Sequence, residues 1–313
     1  MRALITGASG FAGSWLCREC TAAGDDVVAV SRRGWVPDGC GRGVSVDLRD
    51  GAAIAAVVES ARPDVVYHLG ALTSVGRSWE APGRTLTDND AGSVGVLEAV
   101  RHRAPQARLV WVSSCEVYGP PAALPVRESA QMAPASPYAV SKASGEMLAA
   151  VYAESFGLNL VRARPFSHSG PGQRPIFLLS SLARQVAEGR AAEADRIRVV
   201  TGNPDTRRDF TDVRDTVRAY RLLASSAVDG AFNVSSGRSV SCAEQVQLLA
   251  DLVSPIAVEH AVDPARVRAH EVMDLRGDHS RLTAATGWAP QIPLRQTIAD
   301  TVAWWERELA GIA

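Results

Sequence analysis

Short apolar runs alternate with longer stretches of helical period through the first half of this 313-residue chain. Residues 2–6 (RALIT) form the first run; glycines and a helical pattern follow to about Ala23, where Gly24 supplies a stop. Runs at 26–30, 44–46 and 64–69 read as strands, the last a continuous apolar stretch of the kind buried in parallel sheets. Helical patterns at about 51–61 and 86–103 separate these runs, and residues 108–113 make the next strand. A helix opening at Ser136 and Pro137 and ending near Gly157 leads to a strand at 158–164. The alternation predicts an α/β fold built on a doubly wound parallel sheet.

After Pro165 the pattern changes. The loop SHSGPGQ at 167–173 is rich in Gly and Pro, and shorter elements follow it. Helices are predicted at about 177–188, 213–225 and 242–252, strands at 198–201, 231–234 and 256–260, and a Trp-containing helix from about Leu294. We therefore expect a dinucleotide-binding domain over 1–165, to which about 209–236 returns. Residues 166–313 then form mainly a smaller, interleaved α/β portion that binds substrate.

Two motifs add chemistry to this frame. The loop GASGFAG places Gly7, Gly10 and Gly13, with Phe11 and Ala12, between the first strand and the first helix. Such glycines let the chain turn tightly and let a pyrophosphate approach the helix N-terminus, whose free N–H groups favour an anion. The sheet is thus expected to be of Rossmann type. The second motif runs from SSCEVYG at 113–119 to SPYAVSK at 136–142. Tyr138 and Lys142, four apart, project from one helical face. A lysine ammonium held there is expected to lower the phenol's pKa, and a serine from the preceding strand end completes a site that polarises a carbonyl or alcohol oxygen.

Other positions bear on the cofactor. The second strand ends in Ser31, Arg32 and Arg33 without the carboxylate that would accept from the ribose of NAD, so NADP(H) is preferred, with NAD(H) possible. Asp47 and Leu48 are placed to flank the adenine, while Leu69, Gly70 and Ala71 let the backbone pass close to the cofactor. Asn89 is a polar residue on an otherwise apolar helix face and needs a buried partner.

Composition narrows the function classes. Hydrophobic residues make up 46% and charged residues 21%, as in a globular enzyme, and a net charge of −1 argues against nucleic acid or an anionic membrane as partner. No apolar run is long enough to span a bilayer, and MRALITGASG lacks a signal-peptide layout, so a cytoplasmic location is expected. Five scattered cysteines make no disulfide framework; Cys17 and Cys20 fall inside the first helix and read as small buried side chains.

GASGFAG, SSCEVYG, SPYAVSK, ARPFSHSGPGQ, RRDFTDVRD and LTAATGWAPQIPL together resemble an extended short-chain dehydrogenase/reductase. More narrowly they resemble the GDP-4-dehydro-6-deoxy-D-mannose reductases, relatives of the GDP-mannose 4,6-dehydratases, over essentially the whole chain. The resemblance implies Ser114 as catalytic serine, Tyr138 as acid/base with Lys142 as its partner, and Asn89 orienting the lysine through a water. Pro165 is counted with the cofactor-binding positions. The resemblance further implies Arg208 at the substrate diphosphate and Arg268 and Glu271 at the nucleotide. Ser114, Glu116, Ser167 and His168 would line the sugar site of a GDP-linked substrate, and a homodimer is implied. Three departures bear on the sugar: Ser167 replaces the usual Asn, Leu72 replaces Gln or His, and Cys115 precedes Glu116. The alternative activity is a nucleotide-sugar 4,6-dehydratase or epimerase with Glu116 as base, and a cofactor-sensing protein without turnover is a third reading.

Overall fold

The computed structural model describes residues 1–267 and 272–311. Six strands and their crossover helices come first: β1 (Arg2–Thr6), α1 (Phe11–Ala22), β2 (Asp26–Ser31), β3 (Arg42–Ser45), α2 (Gly51–Ala61), β4 (Val65–His68), α3 (Val75–Glu80), α4 (Pro82–Arg103), β5 (Arg108–Val112), α5 (Pro137–Phe156) and β6 (Leu160–Pro165). The later elements are β7 (Ser167–Ser169), α6 (Leu178–Ala191), β8 (Arg196–Thr201), β9 (Arg207–Asp212), α7 (Val213–Ser225), β10 (Gly230–Val234), β11 (Ser239–Ser241), α8 (Cys242–Val253), β12 (Ala257–Val262), β13 (Asp274–Leu275), α9 (Ser280–Thr286) and α10 (Leu294–Leu309).

The main sheet has seven strands in the order β10-β6-β5-β4-β1-β2-β3, every neighbour parallel. Apolar residues on each face explain the helical layers. Leu16, Cys17 and Cys20 of α1 pack with Val217, Tyr220 and Leu223 of α7 on one face. Ile54 and Val58 of α2 pack with Val96, Leu97 and Val100 of α4 and with Ala149 of α5 on the other. Strand order reverses between β1 and β4, so a crevice opens beyond their C-terminal ends, where sheets of this class take their ligands.

Beyond β6 the chain builds a smaller layer. β11, β9 and β13 form one sheet, with β7 also pairing β9, and β8 pairs β12 in another. Leu179, Leu182 and Val186 of α6, Leu249 of α8 and Ile298 and Val302 of α10 form its core. β7 joins this layer by pairing β9, while β10 returns to the main sheet beside β6.

Differences from the sequence-based expectation are local. The third strand is residues 42–45 rather than 44–46, and α4 begins at Pro82 because proline fits the first helical turn. The short helices α3 and α9 and the strands β7, β9, β11 and β13 were not anticipated. β9 (RRDFTD) has no strand-like alternation of apolar residues; its Asp209 is buried and accepts from the backbone N–H groups of Ser236, Gly237 and Gly277, partners remote in sequence. The expectations for Arg268 and Glu271 fall outside the described residues.

Candidate active site

The glycine loop leads β1 into α1. Gly13 has no room for a side chain: a Cβ there would lie 2.2 Å from the Gly7 carbonyl oxygen. Gly7 adopts φ +72°, and a Cβ on it would stand 2.8 Å from Gly70 Cα, so the loop lies directly against the chain leaving β4. Gly70 in turn leaves space for Leu48, whose Cδ1 would be 2.3 Å from a Cβ at that position. These contacts bring Gly7, Gly10, Phe11, Ala12, Gly13, Leu48, Leu69, Gly70 and Ala71 to the mouth of the β1/β4 crevice. A side chain at Gly7 or Gly13 would strike this backbone and force the loop open, so the glycines keep the tight turn into the helix N-terminus that a pyrophosphate site requires.

Arg32 and Arg33 are exposed just past β2. The Asp47 carboxylate, by contrast, is held by Arg49 at 2.5 Å, and that hydrogen bond draws its pKa down to about 2. Pro165 ends β6 beside Val234 of β10.

The catalytic-type residues come from β5 and α5. Ser136 accepts from Ala139 N at 3.1 Å and Pro137 fills the first turn, as the sequence predicts, so α5 starts where Tyr138 can enter the crevice. Ser114 lies just beyond β5, is largely buried, and accepts from Glu116 N at 3.2 Å. Its hydroxyl reaches Tyr138 by a hydrogen bond, and Glu116 is within electrostatic range of the same phenol. Ser114 and Tyr138 therefore meet, with Glu116 near enough to oppose ionisation of the phenol.

One expectation is corrected here. Burial pushes the Tyr138 phenol above its ordinary range, and the Ser114 hydrogen bond only partly offsets it; Lys142 is not among the causes. Lys142 is itself buried, its ammonium donates to Val112 O at 2.5 Å, and burial pushes it down to about 8, with Glu146 opposing. The spacing placed the two residues on one face but carried no information about how dry that face is.

Lys142 is the only lysine in the sequence; every other side chain in its Lys+Arg total of 33 is arginine. It lines a small cavity of about 10 Å³ with His68, Asn89, Trp111 and Ser141. Asn89 has the partners its burial requires: Oδ1 accepts from Leu72 N at 2.7 Å, and Nδ2 donates to Leu72 O at 3.2 Å and Ser141 Oγ at 2.9 Å. His68 meets Thr6 Oγ1 through Nδ1 at 2.9 Å, and burial holds it neutral, its pKa down at about 3. The sequence reading missed His68 and Trp111; the clue available was a histidine closing VVYH and a tryptophan next to the end of RLVWV.

The expected substrate residues are placed as follows. His168 donates from Nδ1 to Phe166 O at 3.1 Å and stacks on Phe11, ring centroids 6.0 Å apart, so the SHSGPGQ loop rests on the cofactor helix. Trp15 Nε1 adds a donation to Pro171 O at 2.9 Å. Ser167 is half-buried in β7 opposite Phe210, and Arg208 donates to Arg207 O and Val272 O. Cys115 is buried beside Ser114, and burial raises its thiol well above the ordinary value.

The family profile described as GDP-mannose 4,6 dehydratase matches residues 4–301. The chain is 39% identical over 248 residues to a protein named GDP-6-deoxy-D-mannose reductase from Pseudomonas aeruginosa, covering 78% of this chain and 81% of that protein. It is 28% identical over 287 residues to a GDP-mannose 4,6-dehydratase of Yersinia enterocolitica, covering 82% and 77%. A solved structure titled RMD from Pseudomonas aeruginosa complexed with NADPH superimposes with a TM-score of 0.85 at 34% identity, covering 98% of this chain and all of that one. With the glycine cradle, the Ser–Tyr–Lys arrangement and a profile match over nearly its whole length, the chain belongs to the GDP-mannose 4,6 dehydratase family.

Proposed function

We propose that this protein is an NADPH-dependent reductase of the 4-keto group of a nucleotide-linked 6-deoxyhexose, with GDP-4-dehydro-6-deoxy-D-mannose reduced to GDP-D-rhamnose as the preferred assignment. The observation that carries it is the meeting of Ser114 and Tyr138 beside a glycine cradle, in a chain 39% identical to a GDP-6-deoxy-D-mannose reductase. NADPH, when bound, supplies the hydride to the ketone carbon. Tyr138, kept protonated by burial, gives its proton to the carbonyl oxygen as the π pair moves onto it. Ser114 donates a hydrogen bond to that same oxygen. Lys142 stabilises the phenolate that Tyr138 becomes. The cavity beside Lys142 is the size of one water, and Asn89, pinned by Leu72 and Ser141, orients the lysine through it.

The 32-to-1 ratio of arginine to lysine, obtained by subtracting Lys142 from the total of 33, supports this role. Arginine serves elsewhere, whereas this position needs a compact cation whose pKa a dry site can tune. Arg32 and Arg33 are read as the 2′-phosphate contacts. Replacing both with Ala is expected to weaken NADPH binding by about 1.5–3 kcal/mol, the scale of a lost charge-assisted contact, and to leave NADH binding nearly unchanged. Fluorescence titration with each cofactor measures this, and equal losses would remove the arginines from phosphate recognition.

For the substrate, Ser167, His168 and Arg208 are assigned with Ser114 and Glu116, and Arg268 and Glu271 complete the nucleotide site in this reading. A cytoplasmic homodimer also belongs to it, supported by Val94 of α4 and Val140, Met147 and Val151 of α5, which leave an apolar strip exposed along two neighbouring helices. Glu116 beside Tyr138 favours a second reading, a 4,6-dehydratase or epimerase with this carboxylate as base. Dehydration also needs an acid at carbon 6, and the raised Cys115 thiol is a poor one. The direct test is a spectrophotometric assay: GDP-4-dehydro-6-deoxymannose should oxidise one NADPH per sugar, and no absorbance change despite tight cofactor binding would overturn the reductase assignment.

A further inference from the structure

One buried anion stands close to the reacting groups without touching them. Glu146 follows Lys142 by one turn of α5, on the face that carries Tyr138 and Lys142, and is wholly buried. Its carboxylate accepts from Ser113 Oγ at 2.5 Å, the residue next to Ser114, and from Arg164 of β6 at 2.9, 3.1 and 2.7 Å. Arg164 continues to Tyr118 Oη at 2.8 Å and Glu128 O at 3.1 Å, and Tyr118 donates to Asn233 Oδ1 at 2.7 Å. Asn233 Nδ2 then donates to Val126 O at 2.9 Å and Asp278 O at 3.3 Å. A single dry polar chain thus ties the end of β5, the middle of α5, β6, β10 and the segment beyond β13.

A carboxylate in the core of a helix is costly unless something requires it. Packing alone does not, since an apolar pair of similar volume serves a core equally well. We propose that Glu146 is the positioning residue and counter-ion of Lys142, holding α5 in register with Ser114 and keeping the one lysine charged in its dry pocket. Among the described residues, no carboxylate lines the cavity beside Lys142. His68 of β4 is neutral, Tyr138 is protonated, Asn89 of α4 is uncharged, and burial holds the Asp90 carboxyl of α4 above its usual range. Arg164 of β6 is paired with Glu146 at 2.7 Å, and Glu146 opposes the effect of burial on Lys142. Without that carboxylate, burial would act on the lysine unopposed, and a smaller share of it would be charged to stabilise a phenolate at working pH.

This inference rests on the reductase reading for its consequence but not for its measurement. Because the chain has one lysine, protein grown on [ε-13C]lysine gives one side-chain resonance, whose pH titration reports Lys142 directly. Glu146→Gln keeps the size and the Ser113 contact and removes the charge. The expected result is a titration midpoint lower by about one unit, the lower end of what a nearby opposite charge contributes. In the ketone-reduction assay the alkaline limb of kcat should move down by the same amount, with KM for NADPH changed less than about twofold. Glu146→Asp, which keeps the charge, should restore most of the midpoint. If Glu146→Gln does not fold, Glu146→Gln/Arg164→Met removes both charges, which cores tolerate, and the same downward shift is expected. An unmoved midpoint in whichever of these variants folds overturns the proposal; a moved midpoint in a protein that reduces no ketone upholds it and removes the reductase reading instead.

Discussion

Tyr138→Phe is expected to lower turnover by about 100-fold or more while cofactor and substrate still bind. The substitution removes one oxygen from a side chain whose ring is buried, so packing around α5 is retained. The lost atom is the one that meets Ser114, and in the resting enzyme it carries a proton because burial disfavours the phenolate. A reductase needs a donor in that state, ready to neutralise the alkoxide that hydride addition creates. Steady-state kinetics with NADPH and the 4-keto sugar, together with a thermal melt, check the prediction. Turnover within a few-fold of the parent, at unchanged stability, would exclude Tyr138 as the acid.

The second large effect is expected at Lys142→Arg, which keeps the positive charge and still loses about 100-fold or more in kcat. The ammonium sits 2.5 Å from Val112 O beside a cavity of about 10 Å³, leaving no room for a planar guanidinium. Nor does a guanidinium titrate near neutrality, so it cannot exchange a proton through the site. If charge alone mattered, arginine would serve here as it does throughout the chain. A variant that retains most of its activity would show that it does serve.

How far these residues could be read before the fold was known depends on where their partners lie. The glycine loop, the Ser136 cap and the Tyr138–Lys142 spacing are local, written within one turn or one helix, and α7 (Val213–Ser225) was legible to the residue because its apolar period is strong. β9 was not, since RRDFTD owes its extended form to β7, β11 and β13 and its buried Asp209 to loops remote in sequence. Glu146 shows the same limit at the site. Its spacing from Lys142 is visible in SPYAVSKASGE, but only the fold brings Arg164 and Ser113 to it and turns a polar helix position into a buried ion pair. The direction of the Tyr138 shift failed for a related reason, because desolvation is set by the whole crevice and not by one neighbour.

The central claim is that hydride comes from outside the sugar and that the ketone is the substrate. Supplying GDP-4-dehydro-6-deoxymannose with NADPH deuterated at nicotinamide carbon 4, and following the products by mass spectrometry and NMR, tests it most directly. The account predicts one deuterium at sugar carbon 4 per NADPH oxidised when the transferred position is labelled, and no 4-keto product when GDP-mannose is offered with NADP. Formation of a 4-keto-6-deoxy sugar from GDP-mannose, with no net change in NADPH, would contradict it and assign Glu116 the part of the base in a dehydratase.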